Sequence, residues 1–106
     1  MEQRIKNIVD TLDSKKAEDI EVFDLTGKGY IVNQVIIATA LNNKHSIALL
    51  THLKDALKSE GEEFLRTEED GDWTIIDLGD ILIHIMTDVY REKYSLEEFL
   101  KNFKLD

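Results

Sequence analysis

The chain has 106 residues, of which 42% are hydrophobic and 33% are charged, with five Gly and no Pro or Cys. This length fits a single domain over residues 1–106, and the composition excludes collagenous, low-complexity and disordered chains. The formal net charge is -9, from 22 acidic and 13 basic residues, which argues against direct, sequence-specific binding to nucleic acid.

Membrane and secreted proteins are also disfavoured. The longest apolar stretches, Val35 to Ala40 and Ile81 to Met86, are far shorter than the roughly 20 residues that span a bilayer. The first residues lack the apolar core of a secretory signal, and the absence of Cys removes disulfides, thiolate catalysis and Cys-ligated zinc. We therefore expect a cytoplasmic protein.

The first third of the chain predicts a helix followed by two strands. The apolar residues of the helix recur at the spacing of one helix face: Ile5, Ile8, Val9 and Leu12. Asp19 to Leu25 predicts a strand in which Ile20 and Val22 share a face. A turn containing Gly leads from there to a buried strand at Val35 to Thr39.

A second helix follows the buried strand directly. Asn42 or Asn43 caps it, and Gly61 ends it. Its inward residues are predicted to be Ile47, Leu50, Leu53 and Leu57. Glu62 to Thr67 is a weaker strand, whose acidic residues favour a position at the edge of the sheet.

The last part of the chain predicts a β-hairpin and two helical segments. Strands at Asp72 to Leu78 and Ile81 to Thr87 are joined by the tight turn Gly79-Asp80. Asp88 to Tyr94 is helical, and Ser95 begins a capping box that opens the last helix. This order of elements predicts an α/β fold with a mixed β-sheet of about five strands and helices packed across it.

The period of two along the hairpin separates two faces of the sheet. One face carries Trp73, Ile75 and Asp77 of the first strand, and the other carries Thr74, Ile76 and Leu78. On the second strand Leu82, His84 and Met86 alternate with Ile81, Ile83 and Ile85. The three isoleucines mark the buried face.

Two chemical alternatives arise from the hairpin and the second helix. Asp77, Asp80 and His84 could ligate a metal ion, although carboxylates beside a turn usually accept backbone N–H groups and a strand histidine usually packs. The two aspartates are three residues apart and no Gly-Ser phosphate loop precedes the second helix, so the site of a nucleotidyl transferase is incomplete. A small metal- or nucleotide-dependent enzyme of that fold is the alternative function. Lys44 and His45 either meet an anion at the helix N-terminus or form an exposed polar turn.

The single tryptophan, Trp73, directly follows an acidic segment from Ser59 to Asp72. That segment suits a basic partner, or it is a solvated rim that keeps the protein in solution. Trp73 is either part of the core or the anchor of a protein interface. The residues by themselves predict a small acidic α/β interaction domain.

The segments DWTIIDLGDILIHIM (Asp72 to Met86) and YREKYSLEEF (Tyr90 to Phe99) resemble the signature of the ribosomal silencing factor family, RsfS, also called Iojap. Ala17 to Leu25 resembles the opening strand of that family, and Lys44-His45 stands where Arg-His is usual. The likeness runs from Ile5 to Phe103. A departure lies after the buried strand, where Ala-Leu-Asn-Asn replaces the Gly-Thr-Ser-Ser of relatives.

The resemblance implies a fold like that of nucleotidyl transferases without their catalytic set, hence no enzyme and no cofactor. It implies binding to the large ribosomal subunit through its protein L-fourteen, which blocks joining of the small subunit and lowers translation when nutrients are scarce. The partner-binding residues carried over from the motif are Trp73, Asp77, Leu78, Asp80, His84 and Met86. Of these, Trp73 and Leu78 would be apolar anchors, the two aspartates would pair with Lys or Arg, and Met86 would be an adaptable contact. The same face could pair with itself in a homodimer.

Overall fold

The structure is a computed structural model that describes residues 2–103. Over that range the chain forms four helices and one sheet of five strands. The elements are α1 (Gln3–Ser14), β1 (Glu18–Asp24), β2 (Gln34–Ala40), α2 (Asn43–Ser59), β3 (Arg66–Glu68), β4 (Trp73–Asp77), β5 (Ile81–Thr87), α3 (Asp88–Tyr94) and α4 (Leu96–Lys101). The predicted α/β class and mixed sheet are confirmed, whereas the likeness to nucleotidyl transferases stays a prediction.

The sheet has the strand order β1-β2-β5-β4-β3. β2 and β5 are parallel at its centre, with Gln34 opposite Ile81 and Ala40 opposite Thr87, and the other pairs are antiparallel. Central parallel strands require apolar side chains on both faces, and β2 is buried from Val35 onward. β3 is an edge strand as predicted, but it spans Arg66–Glu68, so only the last two residues of the predicted range, Glu62 to Thr67, belong to it.

Helices α1 and α2 cover one face of the sheet. The three alternating isoleucines of β5 are fully buried in this core, as predicted: Ile81, Ile83 and Ile85. On α2 the inward residue is Leu49, whereas Ile47 is 45% exposed. The prediction for Ile47 is wrong because Leu50, Leu53 and Leu57 fix a helix face that includes Leu49 and excludes Ile47.

The two ends of α2 form as the sequence predicts. The side chain of Asn42 accepts the N–H of His45 at 2.8 Å. At the other end Gly61 has a φ of +87°, and the N–H groups of Gly61 and Glu62 donate to the carbonyls of Lys58 and Leu57 at 3.0 and 2.9 Å. These bonds form a Schellman motif, which needs the left-handed conformation that Gly adopts without strain.

The second face of the sheet is covered by α3, α4 and the loop that precedes β2. Leu25 and Val32 of that loop, Leu100 of α4 and Met86 of β5 are buried together. Ser95 separates the two helices with a φ of +46°, and its hydroxyl donates to the carbonyl of Glu92. The predicted capping box is therefore absent, because Ser95 ends α3 and turns its side chain away from α4.

β1 departs from a regular strand. An extra residue lies between Glu18 and Glu21, and Asp19 has a φ of +47°. The guanidinium of Arg91 in α3 holds this bulge by donating to the carbonyl of Asp19 and to the Thr39 hydroxyl. Val22, predicted to share a face with Ile20, is exposed at this outer strand.

No helix within residues 2–103 is long and apolar enough to cross a membrane.

Candidate functional site

The helices leave part of the second sheet face open. On β4 the side chains of Trp73, Ile75 and Asp77 are only half-buried, and Leu82 of the neighbouring strand is half-buried as well. These residues and Tyr94 at the end of α3 make up what we call the open face. It includes Trp73, the single tryptophan of the chain.

Trp73 begins β4 on the open face and is held at two points. Its indole Nε1–H donates to Nδ1 of His84 at 3.0 Å. Its ring centroid lies 5.1 Å from that of Tyr94, which is 48% exposed. Aromatic pairs at such distances stabilise one another beyond the area they bury. The indole is thus fixed in orientation while part of its surface stays open.

His84 is nearly buried, with 7% of the residue exposed. Burial lowers the pKa of His84 from 6.5 to about 4, so the imidazole is neutral near pH 7. Because Nδ1 accepts the indole proton, the imidazole proton sits on Nε2, an assignment that follows from the hydrogen bond. His84 is therefore a buried hydrogen-bond acceptor for Trp73 of the open face.

Asp77 is on the open face, as predicted. Its Oδ1 accepts the N–H of Gly79 at 2.8 Å, which fastens the hairpin turn, and Gly79 has a φ of +97°. Arg66 of β3 is its register partner on the same face. Asp77 thus combines a structural bond with a carboxylate that is partly accessible.

Leu78 and Met86, both expected to touch a partner, are buried. Leu78 is 7% exposed and packs with Ile76 against α1 and α2, since residues two apart on a strand share a face. Met86 is fully buried and lies opposite Trp73 in the sheet. Both expectations are corrected: Leu78 belongs to the opposite core, and Met86 lies beneath the open face.

Asp80 forms an ion pair with another residue of the chain. Its carboxylate accepts from the guanidinium of Arg4 at 2.6 and 2.9 Å, and Arg4 also donates to Glu62 at 2.7 and 3.0 Å. The bonds from Arg4 hold the pKa of Asp80 below its usual range. Asp80 therefore ties the hairpin turn to α1 instead of offering a free carboxylate beside Trp73.

The side chains proposed as metal ligands are not arranged around a common site. The Asp80 carboxylate is bound to Arg4, and Nδ1 of His84 is bound to Trp73. From residue 2 to residue 103, no group of three or more His, Asp or Glu side chains is arranged to hold a metal ion. Asp77, Asp80 and His84 are thus not assembled as ligands.

Lys44 and His45 do not form an anion site together. Nδ1 of His45 accepts the N–H of Leu41 at 2.9 Å, and Nε2 lies 2.8 Å from the carbonyl of Lys15. Nδ1 thus holds the turn that precedes α2, and Nε2 joins the start of α2 to the end of α1. Lys44 is exposed.

A cleft of about 360 Å³ lies beside α3, away from the open face. It is lined by Asp19, Glu21, Asp88, Arg91, Glu92 and Glu97. The guanidinium of Arg91 is already bound to Asp19 and Thr39, with Glu21 and Glu97 at 3.6 and 3.5 Å. The carboxylates that remain repel phosphate groups, so the cleft does not suit a nucleotide.

Acidic side chains border the open face. Glu68 of β3 is the register partner of Ile75, and Glu69 and Asp70 are exposed in the loop that leads to Trp73. With a net charge of -9 for the whole chain, these side chains give this border a negative electrostatic potential. The predicted acidic segment and the single Trp thus meet in one area.

Sequence reasoning missed Ile75 and Leu82 as members of this surface. Their positions followed from the period of two, but their accessibility depends on where α3 and α4 lie. Tyr94 belonged to the matched motif, and its contact with Trp73 gives it a role there. The signal available in the sequence was that Trp73 and Tyr94 are aromatic residues of the two matched segments.

Comparison with known proteins places the chain in a family. Residues 1–105 match the model of the family described as "Ribosomal silencing factor during starvation". The ribosomal silencing factor RsfS of Haemophilus influenzae is 34% identical over 96 residues, which cover 89% of this chain and 94% of that protein. The chloroplastic protein Iojap of Zea mays is 34% identical over 92 residues, covering 82% of this chain and 39% of that protein.

Solved structures agree with the fold. A crystal structure of a protein from Chromobacterium violaceum is 27% identical, covers 100% of this chain and 92% of its own, and superposes with a TM-score of 0.87. A second, from Bacillus halodurans, is 28% identical with a TM-score of 0.81 and covers 92% of each chain.

Proposed function

The chain belongs to the ribosomal silencing factor family, RsfS, and on this premise we propose that it binds the large ribosomal subunit and prevents the small subunit from joining. The protein acts in the cytoplasm and lowers translation when nutrients are limiting. Silencing of this kind needs only that a folded domain occupy the surface where the subunits meet, so it requires neither a catalytic group nor a cofactor.

The open face is the proposed docking surface, and its partner is the ribosomal protein L-fourteen. The observation that carries this proposal is the half-exposed indole of Trp73, fixed against Tyr94 and bordered by acidic residues. Trp and Tyr side chains are enriched among the few residues that dominate the affinity of protein interfaces. The acidic border suits a basic ribosomal protein and repels the RNA around it.

The free protein offers the same surface to a second copy. An apolar patch that is covered only in a complex can pair with itself in a symmetric dimer. We propose that such a homodimer and the complex with the ribosome exclude each other, because both bury Trp73.

Co-sedimentation with isolated large subunits tests the proposal. The wild-type protein should travel with the subunit, and Trp73→Ala should remain at the top of the gradient while keeping its circular dichroism spectrum. Phe64→Ala is a matched control, since Phe64 is a half-buried aromatic that packs on the opposite core. Equal binding by all three proteins would contradict docking through the open face.

A photo-crosslinking residue in place of Ile75 identifies the partner. Ile75 is half-buried on the open face between Trp73 and Asp77. The proposal predicts a cross-link to protein L-fourteen on the large subunit. A cross-link only to ribosomal RNA or to another ribosomal protein would contradict this choice of partner.

A further inference from the structure

We infer that His84 is a positioning residue of the open face, which orients Trp73 for docking without itself touching the partner. This inference rests on the proposed function, because it concerns the surface that docks. Three observations carry it: the hydrogen bond from the indole, the burial of the imidazole, and the second contact that Tyr94 makes with the indole.

The hydrogen bond satisfies the single polar group of the indole. Trp offers one donor, Nε1–H, and in this protein it points to Nδ1 of His84 at 3.0 Å. A partner that covers the indole would otherwise have to supply an acceptor or leave the donor unpaired, which is costly in a dry interface. With His84 in place, the partner meets an aromatic surface whose polar group is already bonded.

The contacts also restrict the rotamer of Trp73. The imidazole centroid lies 5.9 Å and the Tyr94 centroid 5.1 Å from the indole, and the fully buried Met86 is its partner across the sheet. A side chain ordered before binding loses less conformational entropy when it docks. His84 therefore contributes to affinity through Trp73.

Because His84 is buried, it orients Trp73 and is not oriented by it. His84 is 7% exposed, so its ring is held by the surrounding core, whereas the half-exposed indole depends on its hydrogen bond and on Tyr94 for its orientation. Loss of the Nδ1 acceptor should thus free the indole, whereas loss of a neighbouring core methyl group should leave it in place.

Three variants separate positioning from simple packing. His84→Leu removes the acceptor at similar volume, and His84→Asn keeps an acceptor oxygen near the position of Nδ1. Ile37→Val is the matched control, because Ile37 is the fully buried register partner of His84 in β2 and the change removes one methyl group from the same core.

Two readouts are needed. Because the chain has one Trp, its indole N–H gives a single cross-peak in a ¹H–¹⁵N spectrum of the free protein. We expect His84→Leu to shift this peak and to raise its hydrogen exchange rate about tenfold, with about tenfold weaker binding to large subunits. His84→Asn should recover most of both, and Ile37→Val should change neither.

The inference is overturned if His84→Leu leaves the indole resonance and the affinity unchanged, or if Ile37→Val weakens binding as much as His84→Leu does. Failure of the wild-type protein to bind large subunits would instead contradict the proposed function. The indole resonance is measured without the ribosome, so it tests the hydrogen bond between Trp73 and His84 separately. An unchanged peak in His84→Leu would then overturn the inference about His84.

Discussion

Acid should destabilise this fold through His84, and His84→Leu should remove that sensitivity. Burial lowers the pKa of His84 from 6.5 to about 4 in the folded protein, so the unfolded chain binds the proton first as the pH falls. The contribution of His84 is complete above pH 6.5 and is lost as the pH falls toward 4. At about 1.4 kcal/mol per pH unit, the loss amounts to about 3 kcal/mol.

The assay is urea unfolding of the wild-type and His84→Leu proteins over this pH range, read as the difference between their free energies of unfolding. Every other ionisable side chain is present in both proteins, so the difference isolates the contribution of His84. The carboxylates of Asp24 and Asp80 have lowered pKa values and weaken the fold only at more acidic pH. Parallel pH profiles for the two proteins would refute the reasoning, because they would show that His84 is not held neutral by burial.

Three further predictions concern residues outside the open face. Asp80→Asn should lower the free energy of unfolding by no more than about 1 kcal/mol, since its bonds to Arg4 are part-exposed, and the folded variant should bind large subunits as the wild type does in co-sedimentation. Gly79→Ala should destabilise the hairpin by about 1 to 3 kcal/mol in urea titrations, because its φ of +97° strains any side chain; an unchanged midpoint would contradict this. Arg91→Ala should lower the free energy of unfolding by about 3 kcal/mol in thermal or urea unfolding, because it removes the buried guanidinium that holds the bulge at Asp19. A decrease below about 1 kcal/mol would show that the bulge forms without Arg91.

Much of the fold follows from patterns that are local in the sequence. The alternation from Ile81 to Met86, the turn at Gly79 and the stop at Gly61 each depend on residues within a few positions of one another, and each formed as predicted. The departures arise from distant contacts. The bulge at Asp19 is held by Arg91, which lies 72 residues further along the chain, and no period of two or 3.6 reveals such a contact.

The candidate site also combines features that follow from local patterns with features that depend on distant contacts. Strand periodicity placed Trp73 and Asp77 on one face of the first strand and His84 on the side away from the isoleucines of the second, and the structure brings all three to one face of the sheet. It could not show that α3 and α4 bury Met86, or that Arg4, 76 residues away, occupies the carboxylate of Asp80. Accessibility is a property of the packed molecule, so a motif identifies the face more reliably than it identifies the residues that touch a partner.

Subunit joining can be followed by light scattering when small subunits are added to large subunits that have been incubated with the protein. We predict that the wild-type protein and Phe64→Ala reduce the joined fraction in proportion to occupancy, and that Trp73→Ala leaves joining as fast and complete as in buffer. Full joining in the presence of saturating wild-type protein that has co-sedimented with the large subunit would contradict silencing by occlusion.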